Sequence, residues 1–142
     1  MRGSGILSVL ALSACATASA QVTPLPMALC AGWQGERVCE LLHEDATIRV
    51  LRCTFAPGVG HERHYHPPHY GYVLSGQTTM RITTDAGVVD RPVRAGGGFS
   101  SDAELIHEAL NVGDETATYL IVEKKNEDRR SASEISAGLC AS

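Results

Sequence analysis

The chain is poor in aromatic residues, with one Trp, two Phe and four Tyr among 142 residues. A folded core must therefore be built mainly from aliphatic side chains and alanine. Hydrophobic residues make up 44% of the chain and charged residues 20%, a balance typical of a globular protein and not of a disordered one. The length allows one domain and leaves little room for a second.

The chain also lacks an excess of basic charge. Lys and Arg together number 12 against 16 Asp and Glu, which gives a formal net charge of -4, and no basic patch stands out. Proteins that bind nucleic acids neutralise phosphates with clustered Lys and Arg. We therefore expect no nucleic-acid partner.

No apolar run is long enough to cross a membrane, since a bilayer core requires about 20 consecutive apolar residues. The N-terminal apolar run extends only from Ile6 to Ala16. It follows Arg2 and precedes the small-x-small site Ala18-Ser19-Ala20, the arrangement of a cleavable export signal. Residues 1–20 are therefore predicted to be a signal peptide, and the mature protein to be periplasmic or secreted.

A second interpretation of this N-terminal segment stays open. Leu12-Ser13-Ala14-Cys15, at positions 12–15, resembles a bacterial lipobox, in which the cysteine is lipidated and becomes the mature N-terminus. A membrane is an expected partner only in that case, and the predicted location outside the cytosol is the same.

The cysteines contain no C-x-x-C pair, the spacing most often used for thiolate metal sites. Four cysteines follow Cys15, and an even number in an exported protein predicts disulfide bonds. Four cysteines allow three pairings, and the sequence alone leaves the choice open. The local candidate pair is Cys30 with Cys39 across a glycine-containing turn, and Cys53 would then join Cys140.

No long stretch has a helical period. Short β-rich runs, such as Thr47 to Phe55, Gln77 to Thr84 and Thr116 to Val122, are separated instead by turn signals. The pattern predicts an all-β sandwich or barrel. The expected organisation is an extended N-terminal segment over 21–37, a barrel over 38–123 and a charged C-terminal tail over 124–142.

Histidines are concentrated in one short segment. Four of the six lie within nine residues, at His61, His64, His66 and His69, and His107 follows about forty residues later. Strand side chains alternate between faces, so the first H-x-H pair shares a face while His61 has the opposite parity and is expected to face away. The Pro67-Pro68 break would let His69 turn back. A metal site is predicted, with an exposed histidine loop of adventitious affinity as the alternative.

Two motifs in this chain resemble those of the cupin superfamily. Gly58 lies six residues before the H-x-H of His64 and His66, and Gly76 closes the segment. In the second motif Gly96 is the first glycine, followed by His107 and then Asn111 at the H-x-x-x-N spacing. The chain departs from the family at His69, which stands where the family usually has a glutamate. It also departs at Asp102 and Glu104, which replace a proline and a glycine.

The resemblance implies a small single-domain cupin with a double-stranded β-helix, a jelly-roll-like barrel. One divalent transition metal (Fe, Mn, Cu, Zn or Ni) would lie inside it on His64, His66, His69 and His107. The function so implied is a metal-dependent oxidoreductase, dioxygenase-like, acting on a small organic substrate. The alternative is a non-catalytic module that binds a small molecule or a metal. A homodimer is a further expectation, and no catalytic residue is assigned.

Overall fold

The computed structural model describes residues 24–137 and residue 140. The predicted signal peptide at 1–20 and the lipobox at 12–15 lie outside these residues. No helix in the described part of the chain is long and apolar enough to cross a membrane. The strands are β1 (Gly32–Trp33), β2 (Glu36–Arg37), β3 (Cys39–Glu44), β4 (Ile48–Phe55), β5 (Gly60–His66), β6 (His69–Ser75), β7 (Gln77–Thr84), β8 (Gly87–Arg94), β9 (Gly98–Ser101), β10 (Leu105–Asn111) and β11 (Ala117–Lys124).

The fold is a double-stranded β-helix, as predicted. One antiparallel sheet has four strands in the order β5-β10-β7-β8, and the other has five in the order β3-β4-β11-β6-β9. β1 and β2 form a separate short hairpin. Apart from the β3–β4 and β7–β8 hairpins, the chain crosses from one sheet to the other between successive strands from β3 to β11, so residues far apart in the chain meet inside the barrel.

Strand alternation builds the core. On β11, Ala117, Tyr119 and Ile121 are buried while the residues between them are half-buried. On β4, Leu51 and Phe55 point to the same interior. Burying one such side chain stabilises the fold by about 1.5–3 kcal/mol, so a core poor in aromatics is sufficient for a domain of this size.

Gly76, which closes the first sequence motif, makes the turn between β6 and β7. Its φ angle is +92°, a conformation that residues with a side chain rarely adopt. A Cβ there would lie 2.1 Å from the carbonyl oxygen of Thr116. The turn therefore requires glycine for both backbone and steric reasons.

Asn111, the last residue of the second motif, has a structural role. Its side chain is fully buried. Its amide nitrogen donates to the backbone oxygens of Phe55 and Glu115 at 2.9 and 2.7 Å, and its oxygen accepts from Thr78 Oγ1 at 2.7 Å. The residue ties β10 to β4, to β7 and to the loop before β11.

The segment predicted to be extended over 21–37 packs on the barrel through Met27 and Ala28, which are buried. The backbone N–H of Ala28 donates to the oxygen of Tyr65 on β5, and the N–H of Tyr65 donates to the oxygen of Pro26, both at 3.0 Å. We call residues 26–31 the N-terminal strap. It pairs with the free edge of β5, the strand that carries the H-x-H pair.

The C-terminal tail reaches the same strand. It forms a short 3-10 turn (Lys125–Glu127) and a short helix (Ala132–Ala137). Between them, the Arg130 guanidinium lies 3.9 Å from the centre of the Tyr65 ring and pairs with Glu104, with Nε at 2.6 Å and Nη2 at 3.1 Å from its carboxylate oxygens. Both ends of the described chain therefore pack against β5.

The four cysteines form two disulfides, but the sequence-local pairing was wrong. Cys39 bonds to Cys53, and Cys30 bonds to Cys140. Cys39 and Cys53 lie directly opposite each other on β3 and β4, so strand register determines that pair. The other pair joins the N-terminal strap to the tail, two segments separated by 110 residues in the chain.

Candidate metal centre

Three imidazoles meet inside the barrel. His64 and His66 lie on β5, and His107 lies on β10 directly opposite His64 in the strand register. His64 Nε2 is 2.9 Å from His66 Nε2 and 3.0 Å from His107 Nε2. These atoms belong to a group of three histidines whose candidate ligand atoms all lie within 4.8 Å of one another.

The other ring nitrogens of the H-x-H pair are already engaged. His64 Nδ1 donates to the backbone oxygen of Glu62 at 2.6 Å, and His66 Nδ1 donates to Glu123 Oε1 at 2.8 Å. Because both partners are acceptors, each neutral ring carries its proton on Nδ1 and has a lone pair on Nε2. The 2.9 Å contact between their Nε2 atoms therefore brings two lone pairs together, an unfavourable contact that a cation between them would make favourable.

A metal ion fits this arrangement. Nitrogen ligands lie about 2.0–2.1 Å from zinc, so two of them on one ion are at most about 4.2 Å apart, and the separations of 2.9 and 3.0 Å from His64 Nε2 satisfy this limit. His107 Nδ1 is buried and has no hydrogen-bond partner among the described residues, so no second group competes for this ring. The donor set is all imidazole, which suits Zn, Cu, Fe and Ni and does not suit Mg or Ca.

Burial keeps these rings neutral and able to bind metal. Desolvation lowers the pKa of His107 to about 4. It also lowers the pKa of His64 and of His66 well below the ordinary value of 6.5, and the neighbouring imidazoles lower both further. A proton shared between the two Nε2 atoms is therefore disfavoured at neutral pH, whereas metal binding requires the neutral form.

His69 lies beside this group and outside it. Its ring centre is 4.6 Å from that of His66, it is buried, and its Nδ1 donates to the backbone oxygen of Pro67 at 2.9 Å. The proline break does turn the side chain inward, as expected. That His69 is a fourth ligand stays a prediction.

The expectation that His61 faces away was wrong. Its ring is buried and lies 3.7 Å, centre to centre, from that of His64. The cause is a β-bulge: two residues lie between His61 and His64, but only one lies between their partners Ala109 and His107 on β10. Glu62 and Arg63 are both exposed and interrupt the alternation. His61 is engaged elsewhere, since its Nε2 donates to the oxygen of Ala28 at 2.9 Å.

Sequence reasoning missed all but one member, His69, of a row of polar residues on the sheet that does not carry the three imidazoles. The strand register places them side by side across the inner face of the five-stranded sheet, where the neighbouring rows are apolar. We call them the polar row: Glu44, Arg49, Glu123, His69 and Ser101.

Glu123 links the polar row to the histidines. It is fully buried, with Oε1 accepting from His66 and Oε2 accepting from Arg49 Nη1 at 3.0 Å. Burial raises the pKa of this carboxyl group, and the positive charge of Arg49 lowers it. A carboxylate on the outer nitrogen of a ligating imidazole fixes its tautomer and raises its basicity. The available signal was the parity of β11, which puts a glutamate on the same face as Ile121.

Comparisons with known proteins agree with this architecture. A family model described as "Cupin domain" matches residues 51–123. A cupin domain from Bordetella pertussis Tohama I superposes with a TM-score of 0.57 at 19% identity, covering 71% of this chain and 96% of that one. An uncharacterised protein with a double-stranded β-helix domain from Klebsiella pneumoniae gives 0.54 at 21% identity, covering 67% and 83%. At these identities the likeness shows the fold alone. No curated protein matches the sequence.

Proposed function

This chain belongs to the cupin domain family, and from that premise we propose that it binds one divalent transition metal on His64, His66 and His107. The observation that carries the proposal is the 2.9 Å contact between two Nε2 atoms whose rings both carry their proton on Nδ1. Fe, Mn, Cu, Zn and Ni are the candidate ions. Affinity alone favours copper or zinc.

The test is the metal content of the protein as the cell makes it. The tag-free protein is purified and its metals measured by elemental mass spectrometry. About one ion per chain is expected, and the His64→Ala/His66→Ala variant should lose it. His43→Ala, at an exposed site, is the matched control and should retain the metal. Negligible metal in the wild type, with no uptake after reconstitution, would refute the proposal.

The fourth position is tested separately with His69→Ala. Loss of a residue that only orients a ligand typically lowers metal affinity by about 10–100-fold. A larger loss, measured by competition with a chelator, would establish His69 as a ligand. An unchanged affinity would exclude it. His61→Ala should keep stoichiometric metal, because His61 Nε2 is hydrogen-bonded to the backbone oxygen of Ala28 and does not point at the other imidazole nitrogens.

A metal-dependent oxidoreductase, dioxygenase-like and acting on a small organic substrate, is the candidate activity. Three protein ligands leave positions on ions that take four to six, which is the arrangement of catalytic metal sites. The half-buried His107 and the exposed Phe99, whose ring lies 6.2 Å from that of His69, mark the side from which a ligand would arrive. Oxygen uptake by the metal-loaded protein with small polar compounds tests this activity. Its absence with every ion would favour the non-catalytic binding module.

Export and dimerisation also belong to this proposal. Two disulfides suit an oxidising compartment, which supports a periplasmic or secreted location. On the outer face of β6, Tyr70, Tyr72 and Leu74 are 38–48% exposed, which supports a homodimer through this sheet. Cell fractionation and light scattering test the two statements; a cytosolic or a strictly monomeric protein would refute the respective one.

A further inference from the structure

We propose that the metal site takes a small anion as its exogenous ligand, and that Arg49 determines this preference by neutralising Glu123. The inference rests on the proposed metal binding and adds the class of ligand. It also assigns a role to two buried residues that touch none of the three Nε2 atoms.

The three predicted ligands carry no charge. His64, His66 and His107 are neutral imidazoles whose Nε2 atoms converge, so they bring no negative charge to a divalent ion. A carboxylate ligand would normally supply part of that charge. Here the nearest buried carboxylate, Glu123, lies on the far side of the His66 ring, bound to Nδ1 and not directed at the Nε2 atoms.

Arg49 neutralises the charge of the Glu123 carboxylate. Arg49 is 7% exposed and donates from Nη1 to Glu123 Oε2. Both oxygens of Glu123 thus accept from nitrogen donors, which is the pattern of an ionised carboxylate paired with a cation. Without Arg49 the carboxylate would offset part of the metal's charge across the His66 ring; with it, the pair is neutral.

The neutralisation continues to the surface. Arg49 also donates from Nε and Nη2 to Glu44 Oε1, at 3.2 and 3.0 Å, and Lys125 Nζ lies 2.8 Å from the same oxygen. Two acids and two bases therefore alternate from His66 outward, and their charges cancel. The ion's charge is left for an exogenous ligand to balance, which favours an anion over a neutral molecule.

The magnitude follows from Coulomb's law. Two unit charges about 10 Å apart at an effective dielectric constant of about 20 change a binding constant by about tenfold or more. Removing one member of the Arg49–Glu123 pair should therefore change anion affinity by about that factor, in a direction set by the sign of the charge that remains.

The experiment is a titration of the copper-loaded protein with azide, followed by the azide-to-copper charge-transfer absorption. Glu123→Gln should bind azide about tenfold more tightly and Arg49→Met about tenfold more weakly. The double variant, in which both charges are gone, should return close to the wild-type value. Arg49→Lys keeps the charge and should stay near wild type.

Arg52→Met is the matched control. It removes the same charge from the same strand, at an outward position where Arg52 pairs with Glu40 in solvent, and should change azide affinity less than about twofold. If the variants at the buried residues do not fold, Glu44→Gln replaces them as the test of the charge effect, because Glu44 is partly exposed. It should tighten azide binding about two- to threefold.

The outcomes separate the two proposals. A wild-type protein that does not hold copper refutes the metal site itself. Copper-loaded variants with equal azide affinity, or tighter binding by Arg49→Met, refute the role of Arg49. If only Glu44→Gln can be prepared, unchanged azide affinity in that variant overturns the proposal.

Discussion

The metal-free protein should lose stability steeply between pH 6.5 and pH 5. His61 and His107 both have pKa values lowered to about 4 by burial, against an ordinary value of 6.5. Below pH 6.5 the unfolded chain takes up protons that the folded chain does not bind. The contribution of each group is therefore fully present above pH 6.5, and it is lost as pH falls toward the folded-state pKa.

The expected loss is large relative to the stability of a domain. One pKa unit corresponds to 1.36 kcal/mol, and the slope reaches this value only below the unfolded-state pKa, so between pH 7.5 and pH 5 each of these two histidines removes about 2 kcal/mol, or about 4 kcal/mol together. The pKa values of His64 and His66 are lowered too, and they act in the same direction. Glu123 acts in the opposite direction because its pKa is raised, but it is one carboxyl group against several imidazoles. This loss is a substantial part of a domain stability of about 5–15 kcal/mol.

Urea unfolding in the presence of a chelator, at steps from pH 7.5 to pH 5, measures this dependence. The slope of the unfolding free energy against pH gives the number of protons taken up on unfolding. A urea midpoint that stays constant from pH 7 to pH 5 would show that the imidazoles do not lose solvation on folding, and the description of the site would fail.

Two further predictions concern the disulfides and one turn. Non-reducing peptide mapping should recover the Cys30–Cys140 and Cys39–Cys53 pairs, and recovery of Cys30–Cys39 would contradict the structure. The Cys30→Ala/Cys140→Ala variant should lower the unfolding free energy by about 4–5 kcal/mol, because that bond closes a loop of more than one hundred residues. Gly76→Ala should lose more stability in urea unfolding than Gly87→Ala. Both glycines have positive φ angles, so either substitution should cost about 1–3 kcal/mol of backbone strain. Of the two added Cβ atoms only the one at Gly76 would clash with backbone, at 2.1 Å from the oxygen of Thr116, so equal losses would contradict the clash.

The sequence carries enough information for the barrel and for the core of the site. Alternation and turn residues predict β7 at the bounds that the structure has, and β4 and β11 to within two residues at either end. The prediction that His64 and His66 share a face of their strand was correct, because it depends only on the alternation of neighbouring residues. His107 could be placed opposite them only through the resemblance to the family motif, because strand pairing between distant segments is not visible in alternation.

The failures have physical causes that lie outside local pattern. The bulge at Glu62 and Arg63 shifts His61 to the interior, and nothing in H-E-R-H distinguishes a bulged strand from a regular one. The disulfide pairing depends on the register of β3 with β4 and on the meeting of the N-terminal strap with the tail. Glu123 was available from parity, since charged residues rarely occupy inward strand positions without a partner.

The polar row connects the proposed metal site to the alignment of the strands. Its members come from five strands, and most of the rows beside it on the same face are apolar and would tolerate an exchange of one aliphatic residue for another. A slip of one residue turns every side chain of a strand to the other face. In β11 such a slip would bring Val122 or Lys124 to His66 in place of Glu123, and the imidazole would lose its acceptor. Because metal binding free energy adds to folding free energy, a bound ion would favour the native alignment over slipped ones during folding.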